Sequence, residues 1–213
     1  VNKFRGDLAL LTPGLSFLTE RTGRPVLGVV PYIEDLRIAD EDSLSLEARM
    51  SRRRPSRQEL DIVVVRLPRI SNYDDVEPLE HEAAVVVRFV EQPDEVAGAD
   101  LVILPGSKNT VADLAWLRAS GIAGVIEARA RASQPLLGIC GGCQMLGEVI
   151  DDPHGVESTE VQVRGLGLLA LRTRFEREKI TAQVLARVLR PSFLTDGAAL
   201  EEGVRGYEIH MGM

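Results

Sequence analysis

The sequence predicts an α/β domain built on a mainly parallel sheet, and three features carry that expectation. Ile62-Val63-Val64-Val65 and Leu101-Val102-Ile103-Leu104 are short apolar runs of the kind found in strands buried on both faces. Stretches with helical spacing, 111–118 and 122–132, follow the second of these runs. A cysteine flanked by glycines, Gly138 to Gly142, then stands between another apolar run and another helical stretch, so strand and helix signals alternate.

Taken in order, Pro13 to Thr22 has helical spacing with Leu15 and Leu18 on one side, and Pro25 to Pro31 reads as a short buried strand bounded by prolines. Residues 49–58 are polar and basic around Pro55, a linker signature. Strands are then expected at 62–65, 83–90, 101–104 and 136–139, with a helix from Gly142 to Val149. Beyond residue 160 the pattern is strand-like at 166–175, 180–189 and 206–210. The chain therefore divides into 1–48, a linker at 49–58, and a main domain over 59–213.

Charge and composition exclude several functions. The chain of 213 residues carries a net charge of -7, which disfavours a phosphate backbone as partner. The basic cluster Arg52-Arg53-Arg54 has no interleaved aromatic residue for base stacking and reads as an exposed linker, so no nucleic acid is expected. No apolar run is long enough to span a bilayer, so no membrane partner is expected either. The first residues, Val1-Asn2-Lys3-Phe4-Arg5, lack a signal-peptide pattern, and the default location is cytoplasmic. With no starting Met, the chain reads as a fragment. The Cys140-x-x-Cys143 spacing could suit a redox pair or half a zinc site, but the flanking residues fit a different motif, which argues against a thioredoxin-like use. His81, His154 and His210 form no local ligand pair, so no metal is expected. His81 and His154 read as solvated loop residues.

The chemistry concentrates at Gly138-Ile139-Cys140-Gly141-Gly142, the cysteine form of a G-x-S-x-G nucleophile elbow. The turn is sharp, and side chains at the flanking positions would strike the neighbouring strand and helix. Cys140, the candidate nucleophile, opens a helix whose dipole favours a thiolate. The Gly141 N–H points at the place where an oxyanion forms, and Gln144, one turn on, reaches the same pocket. Cys143 reads as a packing residue. Pro105-Gly106-Ser107 follows the third strand of the main domain. Ligands bind at the carboxyl ends of strands in such sheets, so this loop should face the elbow, with Gly106 as a second oxyanion donor.

Two segments, Leu101 to Thr110 and Leu137 to Gly147, resemble the paired motifs of class I glutamine amidotransferases of the cobyric acid synthase type. Asn2-Lys3-Phe4-Arg5-Gly6-Asp7, Asp42 to Glu47, Arg66 to Asn72 and Gly206 to Gly212 are similar to that family too. Cys143 departs from it, because the family usually carries an aromatic residue there. The resemblance implies a flavodoxin-like class I amidotransferase domain preceded by the remnant of a P-loop α/β synthetase domain, residues 1–48, in which Asn2, Lys3 and Asp7 fall where P-loop relatives recognise the nucleotide base. It implies glutamine hydrolysis at Cys140 through a thioester. The ammonia would serve ATP-dependent amidation of a corrinoid acceptor, adenosylcobyrinic acid a,c-diamide, in cobalamin biosynthesis. No cofactor is implied for the main domain itself; ATP and Mg are expected at the synthetase domain, whose Walker motif the chain lacks.

His210 is the candidate base within the chain. The resemblance instead implies a later histidine, in a Gly-Thr-Tyr-Leu-His-Gly-Leu-Phe-like segment past Met213. In many class I relatives a Glu stands two positions after the base; Gly212 stands two after His210. The chain as given is then expected to have little glutaminase activity. Alternatives are the glutaminase of a related a,c-diamide synthase or of a cell-wall amidotransferase, or a catalytically silent interaction domain of the same fold.

Overall fold

The computed structural model describes residues 1–33, 55–187 and 203–212, the last three of these by backbone only. The chain forms two compact units, Val1–Ala39 and Asp40–Met213.

In the first unit, helix α1 (Leu8–Thr22) is capped by the Asp7 carboxylate, which accepts from the Ala9 N–H, and it ends at Gly23 in a left-handed conformation with φ 66°. Asp7 is thus occupied as a helix cap, and the Asn2 side chain accepts from the Lys3 N–H. The run from Pro25 to Pro31 is not the buried strand its apolar composition predicts. Its ladder is a single bridge, Phe4 with Pro31, supported by Phe4 N–H to the Val30 carbonyl (3.1 Å) and Tyr32 N–H to the Phe4 carbonyl (2.7 Å). Leu27 is 96% exposed and α1 buries none of its residues. A strand needs a partner along its length and cover on its face; in the described part of this unit residues 1–4 partner only its end, through Gly28, Val30 and Tyr32, and leave Leu27 uncovered. The residues of the expected linker up to Arg54 lie outside the described residues.

The second unit is the α/β domain. Strands β1 (Leu60–Val65), β3 (Val85–Val90), β4 (Leu101–Leu104) and β6 (Leu136–Gly138) form a parallel sheet in the order β3-β1-β4-β6. Period-two alternation divides their side chains between two apolar layers. Val63, Val65, Val102 and Leu104 pack with Leu114 and Leu117 of α4 (Thr110–Ala119), Ile122 and Ile126 of α5 (Ile122–Arg131), and Met145 of α6 (Gly141–Leu146). On the opposite face Ile62, Val64, Val87, Phe89 and Ile103 pack with Val76 of the short 3-10 turn Tyr73–Val76. Burial on both faces explains why these strands are apolar without interruption. The two-residue β2 (Ile70–Ser71) and the short α2 (Glu77–Glu80) lie between β1 and β3, and α3 (Pro93–Ala97) between β3 and β4; β5 (Gly106–Ser107) pairs antiparallel with β2.

A second sheet follows, in the order β10-β9-β7-β8: β7 (Val149–Asp151), β8 (Gln162–Arg164), β9 (Arg172–Ala186) and β10 (Val204–Gly212). Two expectations are corrected here. The helix predicted through Val149 stops at Leu146, and Val149 begins β7. Gly147 is the reason: a side chain there would meet the Leu171 carbonyl oxygen at 2.7 Å, and the neighbouring Glu148 N–H donates to that same carbonyl. The strand predicted from Leu166 starts only at Arg172. Residues 166–169 instead wrap the end of α6, donating from Leu166 to the Met145 carbonyl, from Gly167 to Gly147, and from Leu168 and Leu169 to Leu146. Those carbonyls have no partner within their own helix, so the segment satisfies them in place of a ladder. No helix among the described residues is long and apolar enough to cross a membrane.

Candidate active site

The strand order reverses between β1 and β4, and Arg69, Ser107 and Cys140 lie on the segments that leave the carboxyl ends of β1, β4 and β6. Cys140 stands one residue beyond β6, after Ile139, and holds φ 48°, ψ -114°, a conformation that non-glycine residues adopt only when their surroundings impose it. The surroundings are tight. A Cβ at Gly142 would lie 1.9 Å from the Leu104 carbonyl oxygen, and one at Gly138 would lie 2.8 Å from the backbone of Cys143. The turn is anchored by Ile139 N–H to the Leu104 carbonyl (2.9 Å) and by Gln144 N–H to the Cys140 carbonyl (3.1 Å). Cys140 is left exposed, whereas Cys143 is partly buried; burial, then the neighbouring Cys140, pushes the Cys143 thiol up.

The Pro105-Gly106-Ser107 loop faces the elbow, with a Cβ built at Gly106 standing 3.7 Å from Cys140 Cβ and 2.6 Å from Ser71 Oγ. Two carboxylates that the sequence motifs do not reveal hold this loop and the adjacent helix start. Asp113 of α4 is completely buried. It accepts from Ser107 Oγ (2.6 Å), from Arg69 Nη1 (3.2 Å) and from the Arg69 backbone N–H (3.3 Å), while Lys108 N–H donates to the Arg69 carbonyl (2.8 Å). One acid thereby fastens the β2 segment and the β5 loop together. The second is Glu157, which accepts from the Thr110 N–H (2.5 Å) and, more weakly, from that of Val111 at the N-terminus of α4, alongside the Asn109 cap. Thr110 Oγ1 lies between Glu157 Oε1 (3.5 Å) and Gln144 Oε1 (3.4 Å), linking this cap to the wall of the site. Burial pushes the Glu157 carboxyl up, opposed by its Thr110 and Val111 donors. The loop presenting Glu157 is itself built on Asp152, buried at 2% exposure, which accepts from the N–H groups of Val156, Glu157 and Ser158 at 2.7–2.9 Å.

A cleft of about 600 Å³ opens at the elbow. Cys140, Cys143 and Gln144 form one wall; Leu171, Arg172, Thr173 and Val184 of the β9 region and Tyr207, Glu208 and Ile209 of β10 form the other. Of the sequence candidates, Cys140 and Gln144 line this cleft, and Gly141 and Gly106 adjoin it through the elbow and the facing loop. His210 lies on β10 next to Ile209, its backbone paired with Ile180 of β9; its side chain lies outside the described residues. His154 Nε2 stands 3.5 Å from a Glu176 carboxylate oxygen, away from the cleft lining. His81 is exposed.

The profile of the CobB/CobQ-like glutamine amidotransferase domain matches residues 61–213. Cobyric acid synthase of Sorangium cellulosum is 64% identical over the whole of this chain, which covers 42% of that protein. The cobyric acid synthases of Desulforudis audaxviator and Moorella thermoacetica are 50% and 47% identical, again over the whole chain, which covers 40% and 41% of them. The chain thus spans about two fifths of the length of these curated relatives. Among solved structures, PurLQS from Thermotoga maritima superposes with a TM-score of 0.54 at 21% identity, covering 72% of this chain and 68% of that one, a likeness of fold.

Proposed function

Because the chain belongs to the family of CobB/CobQ-like glutamine amidotransferase domains, we propose that Cys140 is the nucleophile of a glutaminase that supplies ammonia for corrinoid amidation in a cobyric acid synthase. The observation that carries this reading is the elbow itself: an exposed cysteine at φ 48°, packed so closely that Gly138 and Gly142 tolerate no side chain, opposite the Gly106 loop.

The steps follow from that placement. The Cys140 Sγ attacks the carboxamide carbon of glutamine, and the carbonyl oxygen becomes an oxyanion facing the N–H groups of Gly141 and Gly106. Ammonia leaves as the thioester forms, and water releases glutamate and restores the thiol. Gln144, tied to Thr110, and Glu208 stand on opposite walls of the cleft as polar groups able to orient an amino-acid substrate. The thiol proton goes to a histidine, for which the family resemblance implies a residue other than His210. The ammonia is used outside residues 59–213, in an ATP- and Mg-dependent amidation of carboxylates on a corrinoid acceptor, and residues 1–48 belong to the domain that performs it.

The test is Cys140→Ser in the complete synthase. It removes glutamine-dependent amidation and leaves amidation from added ammonia at the wild-type rate. Loss of both activities in a folded variant overturns the assignment of Cys140 to the glutaminase step alone.

A further inference from the structure

The elbow carries a second sulfur that the glutaminase chemistry does not use. Cys143 stands one helical turn after Cys140 and lines the same cleft wall. The chain has no other cysteine. Cys140 stands just before α6 and Cys143 is the third residue within it, and the Gln144 N–H to Cys140 carbonyl bond closes the turn between them. Cys140 is near enough to add to the upward push that burial gives the Cys143 thiol. A disulfide holds its two side-chain carbons about 4 Å apart. Only Gly141 and Gly142 intervene between the two cysteines.

We infer that Cys140 and Cys143 form an oxidant-responsive pair, in which hydrogen peroxide oxidises Cys140 and Cys143 resolves it to an intramolecular disulfide. Exposure divides the roles. Cys140 faces solvent, and its thiolate attacks peroxide, giving the sulfenic acid and hydroxide. Cys143 is partly buried and its thiol is pushed up by that burial, so it stays protonated and unreactive toward external oxidant. Its sulfur then displaces hydroxide from the Cys140 sulfenic acid; the S–O bond breaks, the S–S bond forms, and the thiol proton leaves with the hydroxide as water. Two electrons pass from the pair of thiols to one peroxide. The disulfide occupies the Sγ that would attack glutamine and also keeps Cys140 from the irreversible sulfinic state. A small-molecule dithiol restores both thiols by exchange.

The experiment is read by mass and thiol count, so it does not depend on the glutaminase reading. The full chain is treated with stoichiometric hydrogen peroxide, quenched, and its free thiols are alkylated. The wild type should lose both of its two alkylatable thiols, lose two hydrogens in mass without gaining oxygen, stay monomeric on a non-reducing gel, and recover with dithiothreitol. Cys143→Ser should gain oxygen at Cys140 that dithiothreitol removes only in part, and Cys140→Ser should keep Cys143 reduced. Oxygen addition in the wild type equal to that of Cys143→Ser, disulfide-linked dimers as its main product, or oxidation of Cys143 in Cys140→Ser as fast as in the wild type would each overturn the inference.

Discussion

Gly142→Ala tests the packing on which the elbow depends. The added methyl would lie 1.9 Å from the Leu104 carbonyl oxygen, 2.6 Å from its carbon and 2.8 Å from the Pro105 carbonyl oxygen. All three are backbone atoms of the strand end and loop that face Cys140, so no side chain can rotate away. Ordinary contact requires the start of α6 to retreat by about 1.5 Å. Overpacking a well-filled interior costs about 1–3 kcal/mol, and a clash confined to backbone belongs at the upper end of that range. The same retreat carries Cys140 away from the Gly106 loop, and a misplacement of about 1 Å costs on the order of 100-fold in reaction rate. Gly124→Ala is the control: it lies in α5 with nothing within 4 Å of its added Cβ, so it should raise stability by roughly 0.5 kcal/mol. Urea denaturation measures both stabilities, and the rate of Cys140 labelling by a chloroketone analogue of glutamine reports the elbow geometry. If Gly142→Ala matched wild type within about 0.5 kcal/mol and labelled at the same rate, the steric account of the elbow would be wrong.

Asp113→Ala leaves the Ser107 hydroxyl and an Arg69 N–H without their acceptor in a partly buried site, which should cost about 2–4 kcal/mol; Ser107→Ala removes the bond to Asp113 and the one accepted from the Asn109 N–H and should cost about 1–2 kcal/mol, both read by denaturant midpoint. Burial pushes Asp152 up, but the N–H groups of Val156, Glu157, Ser158 and Gly155 outweigh it and hold the carboxyl below its ordinary range. Its stabilisation is therefore present above the unfolded pKa of about 3.9 and is lost as pH falls through the lower folded value. Asp152→Asn should cost about 2 kcal/mol near neutrality and flatten the acid limb of stability against pH; an unchanged acid limb would refute the linkage. In the complete synthase His210→Ala should keep glutaminase turnover within about tenfold of wild type, whereas a loss of about 100-fold or more, the scale of a missing general base, would identify His210 as that base.

The α/β class, the four core strands and the position of the elbow are legible in the order of residues alone. Each rests on local pattern: β-branched runs at 62–65 and 101–104 bury both faces wherever they are placed, and Gly-x-Cys-x-Gly bounded by strand and helix signals admits one sharp turn. Local pattern failed where distant contacts prevailed. Val149 has helical neighbours in sequence, yet it pairs with Arg164 and Arg172. Leu166 to Leu169 has strand-like composition, yet its N–H groups are taken by the carbonyls ending α6. The run at Pro25 to Pro31 is apolar enough for a core strand and has no cover among the described residues.

The site divides the same way. Cys140, Gly141 and Gln144 fall within five consecutive residues, so one motif reveals them. Asp113, Glu157, Tyr207 and Glu208 reach the same neighbourhood from three other parts of the chain. Asp113 sits inside a helix and reads there as a surface residue; only the fold of α4 against the Arg69 and Ser107 segments makes it a buried acceptor. Glu157 is placed by a loop wound around Asp152, and its partner Thr110 lies 47 residues earlier. Period and spacing report which way a side chain faces along its own element. Which distant element supplies the donor or the opposing wall depends on chain packing, because a buried carboxylate is stable only where folding has brought N–H and O–H groups to it.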